Sequence, residues 1–227
     1  MPKILTTRAL LGGMIQVLLF PLALFLAAGT LAWPAGWIFL IVLYSFVVAT
    51  VRLLRKRNPA LLEERMSVFK PTPQGRDSLF LLLLAVCMVW LVLMPLDAVR
   101  FHWLAVPVWL QVVGALVLVS SFVLIYLAFR ENAYLTPTVR IQQERGQTVV
   151  SSGLYQQVRH PMYAGFHLFF LGTALLLGSV FGFLLSLVLI GLFVRRAMLE
   201  ERVLRKELPG YDAYMAQVNY RFIPHVW

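Results

Sequence analysis

The fold depends on the stretch "MYAGFHLFFLGTALLLGSVFGFLLSLVLIGLFV", residues 162–194, a long apolar run near the end of the chain. A membrane helix needs roughly 20 mostly apolar residues, so this run is too long for one ordinary span. Gly178 and Gly182 lie at its centre, at a spacing that suits a tight turn or close helix packing. The sequence therefore predicts two short membrane helices joined near Gly178 and Ser179.

The rest of the chain has the same membrane character. Of 227 residues, 60% are hydrophobic and 13% charged, whereas soluble domains are about 45–50% apolar and roughly 25% charged. Segments of spanning length lie near 9–31, 36–54, 79–96 and 107–129. The first resembles a signal peptide but exceeds the usual apolar core of about 7–15 residues, so we interpret it as a membrane helix. The sequence predicts an all-α integral membrane protein with about six transmembrane helices.

The charges orient this bundle. With six spans and an inside N-terminus, 19 of the 20 basic residues lie on the inner side and only Arg100 lies outside. Such asymmetry is typical of cytoplasmic loops, so both termini are expected in the cytoplasm. The net charge of +10 could suggest nucleic acid, but the basic residues fall between apolar runs, and we expect no nucleic-acid partner. The single cysteine, Cys87, excludes an intrachain disulfide and a thiolate metal site.

Polar chemistry is concentrated in three inside segments, 55–78, 130–161 and 195–227. Residues 59–68 suit a short amphipathic helix with Leu61, Leu62 and Val68 toward the membrane. The first segment is either a connector that meets anionic head groups or a contributor to a substrate site. The second is longer than a connector needs and keeps apolar anchors, which favours a function.

The start of the apolar run carries the motif "RHP", residues 159–161. Pro161 suits the first turn of a helix and places His160 at or beside the N-cap. The N–H groups of that turn favour an anion or carboxylate. The alternative is a membrane-interface collar with snorkelling side chains. His160 and His167 lie two turns apart, but no third ligand has a convincing spacing, so no metal site is expected.

The C-terminal inside segment adds a second polar pair. Arg196 and Glu200 are four residues apart on the continuation of the last membrane helix. They form either an ion pair at the membrane edge or part of a functional site. The aromatic-rich end, residues 218–227, is expected to fold back as a lid at the interface.

Two of these elements together resemble a known family. "SGLYQQVRHPMYAG" (152–165), an apolar hairpin and "EERVLRKELPGYDAYMAQVNYRFIP" (200–224) are similar to the isoprenylcysteine carboxyl methyltransferases, a group that includes relatives of phospholipid N-methyltransferases. The resemblance covers roughly residues 138–225. It implies a cofactor pocket on the cytoplasmic side, formed by the C-terminal half. Four membrane helices in 1–130 would precede a methyltransferase region in 131–227, made of a cytoplasmic loop, a helical hairpin and a C-terminal cap.

The resemblance also implies a site for S-adenosylmethionine. The residues that map onto the family's donor site are Gln142, Gln147, Thr148, Val149, Val150, Tyr155, His160, Pro161, Met162, Tyr163 and Glu200. Arg196 maps onto an arginine near the substrate carboxylate, and its fork of donors suits that group. His160 is the nearest proton acceptor for an amine or thiol substrate. Arg196 and His160 are thus the candidate catalytic residues.

The implied activity is carboxyl O-methylation of an isoprenylcysteine-like or other lipidic substrate, with a prenylated small substrate and membrane lipids as partners. Methylation of a phospholipid amine or a small thiol is the alternative. A sterol-type NADPH reductase is disfavoured because Phe166, not an acidic residue, follows Gly165. A non-enzymatic membrane scaffold is also disfavoured, because it would give the polar segment 138–163 no function. The ending "YRFIPHVW" resembles bacterial relatives, which suggests a bacterial inner membrane.

Overall fold

The computed structural model describes residues 18, 20–66, 78–135 and 141–227, and these ranges contain helices but no strand. A helical stretch at 20–28 (α1) comes first. The further helices are α2 Pro34–Arg57, α3 Pro59–Met66, α4 Ser78–Pro95, α5 Val108–Glu131, α6 Pro161–Leu176, α7 Val180–Glu207 and α8 Tyr211–Gln217. α4 continues as a π-helix, Leu96–Phe101.

Four of the described helices are long and apolar enough to cross a membrane: α2, α4 with its π-helical extension, α5 and α7. The prediction of an all-helical integral membrane protein is thereby confirmed. α6 has 16 residues, about 24 Å at a rise of 1.5 Å per residue, which is shorter than a hydrocarbon core of about 30 Å. The predicted first span, 9–31, lies partly outside the described residues, so the count of six stays a prediction.

The turn predicted near Gly178 and Ser179 joins α6 to α7. Gly178 has a φ of 78°, a left-handed conformation that glycine adopts without strain. Ser179 Oγ accepts a hydrogen bond from the Gly182 N–H at 2.8 Å and caps α7. The same hydroxyl donates to Asp97 Oδ2 at 2.7 Å, and that oxygen also accepts the Phe181 N–H at 3.0 Å. Asp97 therefore fixes the hairpin turn to the end of α4.

Close helix contacts hold α6 in place. A Cβ added to Gly172 would lie 2.7 Å from the Leu118 nitrogen of α5, so the two backbones touch there. On the other side, Ser186 Oγ of α7 donates to Phe170 O at 3.0 Å. Trp90 Nε1 of α4 donates to Ser186 Oγ at 2.9 Å. These contacts pack α6 against α5 and α7, and α7 against α4.

The helix predicted at 59–68 forms as α3, but its leucines face the protein. Leu61 and Leu62 are buried in the main core, because this face of α3 packs against the other helices. Their predicted orientation toward the membrane was wrong, and Val68, which was predicted with them, lies outside the described residues. Asn58 caps α3 by accepting the Leu61 N–H at 3.2 Å, and it donates from Nδ2 to Ala133 O at 3.2 Å. α3 is therefore tied to the segment that follows α5.

Candidate functional site

A cavity opens where the segment after α5, the start of α6, the end of α7 and α8 meet. Its cavity volume is about 90 Å³, and its empty space is about 840 Å³ when the solvent-open mouth is included. Nine of the predicted donor-binding residues line it: Gln147, Thr148, Val149, Val150, Tyr155, His160, Met162, Tyr163 and Glu200. The structure thus brings Glu200 together with side chains from residues 147–163.

Tyr155 contributes a buried phenol to the cavity wall. It lies in the 3₁₀ turn Gly153–Gln156 and is 5% exposed. Its carbonyl accepts a hydrogen bond from the Tyr214 hydroxyl at 2.7 Å, which anchors the turn to α8. Burial raises the pKa of the Tyr155 phenol above its usual range, and the neighbouring Asn132 amide opposes this in part. Among the described residues, its hydroxyl makes no hydrogen bond of ordinary geometry, so it can bind a polar ligand atom.

The start of α6 has the predicted form. Pro161 is the first helical residue and His160 the N-cap. The N–H groups of Tyr163 and Ala164 both donate to His160 O at 3.1 Å. Within the described ranges, Met162 N–H is left as the first-turn donor without a backbone acceptor. Of the first-turn N–H groups that were predicted to favour an anion, only that of Met162 is therefore available. Pro161, which was predicted to contact the donor, is not among the residues that line the cavity.

The Tyr163 hydroxyl joins the two residues of the predicted polar pair, Arg196 and Glu200. Its hydroxyl donates to Glu200 Oε2 at 2.7 Å and accepts from Arg196 Nε at 3.2 Å. Glu200 is partly exposed and lines the cavity. Arg196 is 5% exposed and lies behind Tyr163, outside the cavity wall. Arg196 and Glu200 thus meet through a phenol and not as the direct ion pair that their spacing allowed.

The second glutamate, Glu201, is a buried residue beside the cavity that the sequence analysis did not single out. It is 4% exposed, and Oε1 accepts from Arg159 Nε at 2.7 Å while Oε2 accepts from Arg221 Nε at 2.9 Å. His160 Nε2 lies 3.2 Å from Oε1. Adjacent residues on a helix point about 100° apart, so Glu200 faces the cavity while Glu201 faces the start of α6. The adjacent Arg159 and His160 were a signal that a buried counter-charge was needed.

The C-terminal segment 218–227 packs across the start of α6. Arg159 Nη1 donates to Val218 O and Asn219 O, both at 2.8 Å. The N–H groups of Arg159 and His160 donate to Tyr220 O and Arg221 O, at 2.9 and 2.8 Å. The predicted fold-back therefore occurs. The segment braces the back of His160, whereas Tyr211 and Tyr214 of α8 line the cavity itself.

Gln142 supports the loop from inside. It is fully buried and is not among the residues that line the cavity. Its Nε2 donates to Tyr134 O at 2.7 Å, and its Oε1 accepts from Arg145 Nη1 at 2.6 Å. Its N–H donates to Gln147 Oε1 at 2.8 Å. Its position thus favours a role in shaping the loop that presents Gln147.

α3 reaches the edge of the same cavity. Arg65 Nε donates to Leu135 O at 2.9 Å, and its Nη2 lies 3.7 Å from Met162 Sδ. Leu135 and Met162 both line the cavity. The inside segment 55–78 therefore contacts residues that line the cavity, through Arg65. The sequence alone left open whether this segment reaches the site.

The chain is similar to known proteins in both sequence and fold. Residues 109–209 match the model of the family described as phospholipid methyltransferase. A protein-S-isoprenylcysteine O-methyltransferase from Schizosaccharomyces pombe is 42% identical over 82 residues, which span 35% of this chain and 35% of the relative. The matched stretch is therefore about a third of that protein's length.

A solved structure shares the fold. The eukaryotic intramembrane Ras methyltransferase ICMT (isoprenylcysteine carboxyl methyltransferase) aligns with a TM-score of 0.55 over 96% of this chain and 87% of its own. The sequence identity is 19%, so this likeness bears on the fold alone. The chain thus shares the helical fold of a solved intramembrane protein, and its sequence relatives are methyltransferases. They confirm the resemblance to the isoprenylcysteine carboxyl methyltransferase family and related phospholipid methyltransferases.

Proposed function

We propose that this protein is an S-adenosylmethionine-dependent membrane methyltransferase. The observation that carries the proposal is the cavity, which gathers side chains from segments 147–150, 155–163 and 200. Those are the segments that the resemblance assigned to the methyl donor. The methyltransferase relatives support the same reading.

The lining residues fit the chemistry of this donor. S-adenosylmethionine supplies an electrophilic methyl group on a sulfonium and also carries a carboxylate, an ammonium and an adenine. Glu200 suits the ammonium, and its bond from Tyr163 orients the carboxylate. Met162 N–H suits the donor carboxylate. The rings of Tyr155 and Tyr163 suit adenine or the sulfonium.

The acceptor that the site favours is a carboxylate on a lipidic, isoprenylcysteine-like molecule. Arg196 lies behind Tyr163 and donates to its hydroxyl, so its positive charge favours a negatively charged nucleophile on the cavity side of that ring. Methyl transfer is an in-line displacement, so catalysis consists mainly of aligning donor and acceptor. A carboxylate carries no proton that must be removed, and the site then needs no general base.

A phospholipid amine is the second candidate acceptor. It is favoured by the family model, whose description is phospholipid methyltransferase and whose match includes His160 and Glu200. An amine or a small thiol must lose a proton, and His160 in the cavity wall is placed to accept it.

The proposed site belongs to a region spanning 131–227 that follows four membrane helices in 1–130. We place it on the cytoplasmic side, with both termini in the cytoplasm, because the basic residues cluster at that end of the helices. A bacterial inner membrane is the proposed location.

The test is transfer of a labelled methyl group from S-adenosylmethionine by purified protein. A prenylcysteine analogue and extracted phospholipids are offered separately as acceptors. Label that alkali releases as methanol identifies a methyl ester, whereas alkali-stable label in phospholipid identifies N-methylation. An absence of transfer together with an absence of donor binding would overturn the proposal.

A further inference from the structure

Glu201 is surrounded by donors that fix its charge. Arg159 and Arg221 both donate to it, at 2.7 and 2.9 Å, and both guanidiniums are permanently cationic. A buried carboxylate between two such groups is ionised, because protonation would leave both charges without a partner. An ionised carboxylate has no proton and can only accept hydrogen bonds.

This determines the role of His160 Nε2, which lies 3.2 Å from Glu201 Oε1. Since the carboxylate can only accept, Nε2 must carry the proton in this contact. In the neutral ring the second nitrogen, Nδ1, then has no proton and is an acceptor.

The ring is also held in place by its neighbours. It lies parallel to the Tyr163 ring, with centroids 5.5 Å apart and an angle of 4° between the planes. Phe222 contacts it at a centroid distance of 6.0 Å. Rotation of the imidazole would break the bond to Glu201, so the orientation and the tautomer are set together.

We infer that Glu201 is a positioning residue that holds the neutral His160 ring with its proton on Nε2 and a lone pair on Nδ1. The lone pair provides an acceptor for an N–H or S–H group bound in the adjoining cavity. Only this use of the lone pair rests on the proposed function, and within it on an amine or thiol acceptor. With an amine or thiol acceptor, the bond from nitrogen or sulfur to the methyl carbon forms as the carbon–sulfonium bond breaks, and the proton passes to Nδ1.

The tautomer can be measured without any enzymatic activity. Protein labelled with ¹⁵N-histidine gives long-range ¹H–¹⁵N spectra that distinguish protonated from unprotonated ring nitrogens, and the His160→Gln variant identifies the His160 signals. At a pH where the ring is neutral, we expect protonated Nε2 and unprotonated Nδ1. A proton on Nδ1 in the wild-type protein would overturn the inference.

Three variants separate positioning from general packing. Glu201→Gln removes the charge at nearly constant shape and should give a mixture of tautomers. Glu207→Gln, an exposed position on the same helix, should leave the spectrum unchanged. Arg221→Ala loosens segment 218–227, while Arg159 alone still keeps the Glu201 carboxylate ionised, so the tautomer should persist even if Glu201→Gln fails to fold. A change of tautomer in Arg221→Ala would assign the ring orientation to that segment and refute the role of Glu201. Donor binding is measured separately, so a failure of the proposed function can be told apart from a failure of the tautomer assignment.

Discussion

The Tyr163 hydroxyl lies 2.7 Å from Glu200 Oε2 and joins helices α6 and α7 across 37 positions of sequence. Both residues also line the cavity. Through this contact the first turn of α6 and the charged end of α7 form one wall of the cavity. Arg196 lies behind this wall and donates to the Tyr163 hydroxyl. The proposed donor and acceptor sites therefore share one hydrogen-bonded chain.

Tyr163→Phe should weaken S-adenosylmethionine binding at least tenfold. A hydrogen bond to a charged group contributes about 1.5–3 kcal/mol, and its loss frees the Glu200 carboxylate to rotate. Isothermal titration calorimetry measures the change. Tyr220→Phe, which removes only an exposed contact to His225, is the matched control. Equal affinity in the two variants would contradict the role of the bridge.

Gly172→Ala should destabilise the bundle by about 1–3 kcal/mol, because overpacking a tight contact forces the backbones apart. The new Cβ would meet backbone atoms of α5 at Leu118 and Gly114, which cannot move aside as a side chain can. Gly191→Ala is the control, since its Cβ would have nothing within 4 Å. Thermal midpoints in detergent compare the two. A Gly172 variant as stable as the Gly191 variant would mean that α5 and α6 pack less closely than described.

Arg159→Lys should lower both stability and donor affinity. The Arg159 guanidinium donates to Glu201 and to two carbonyls of segment 218–227 at once. A lysine ammonium cannot reproduce this planar arrangement of donors. Arg202→Lys, at an exposed position of the same helix as Glu201, should change neither. Melting curves and calorimetry provide the two measurements. If the two lysine variants behave alike, the charge of Arg159 matters and its geometry does not.

Tyr214→Phe should change the alkaline stability profile. Burial, as the largest cause, raises the pKa of the Tyr214 phenol from 10.0 to about 12. A raised pKa means that folding favours the protonated phenol, so this contribution is present below pH 10 and is lost as the pH rises toward 12.

The variant should therefore be less stable than wild type at neutral pH, by about 0.5–1.5 kcal/mol for the lost bond to Tyr155 O. It should then lose less stability than wild type between pH 10 and 12. Unfolding monitored by circular dichroism at several pH values gives both slopes. Parallel profiles for the two proteins would show that Tyr214 ionises as freely in the folded state as in the unfolded chain.

Much of this site follows from local sequence. Pro161 predicts the start of α6, and the pair Gly178–Ser179 predicts the turn into α7, because these residues impose local backbone geometry. The motif resemblance identified nine residues that prove to line one cavity.

The rest depends on contacts that sequence spacing does not encode. Glu201 receives partners from Arg159 and Arg221, 42 and 20 positions away, and no periodicity relates these residues. Gln142 and Gln147 were both assigned to the donor site, yet one is fully buried and the other lines the cavity. Leu61 and Leu62 were assigned to lipid because an amphipathic pattern shows that a face is buried but not what covers it.

The central claim is tested most directly by calorimetric binding of S-adenosylmethionine to wild-type protein, Glu200→Gln and Glu207→Gln. Glu207 is exposed on the same helix and lies outside the cavity. The account predicts that the Glu200 variant loses at least tenfold in affinity, while the Glu207 variant binds like wild type. Equal affinity in all three proteins would show that the donor does not bind in this cavity and would contradict the account.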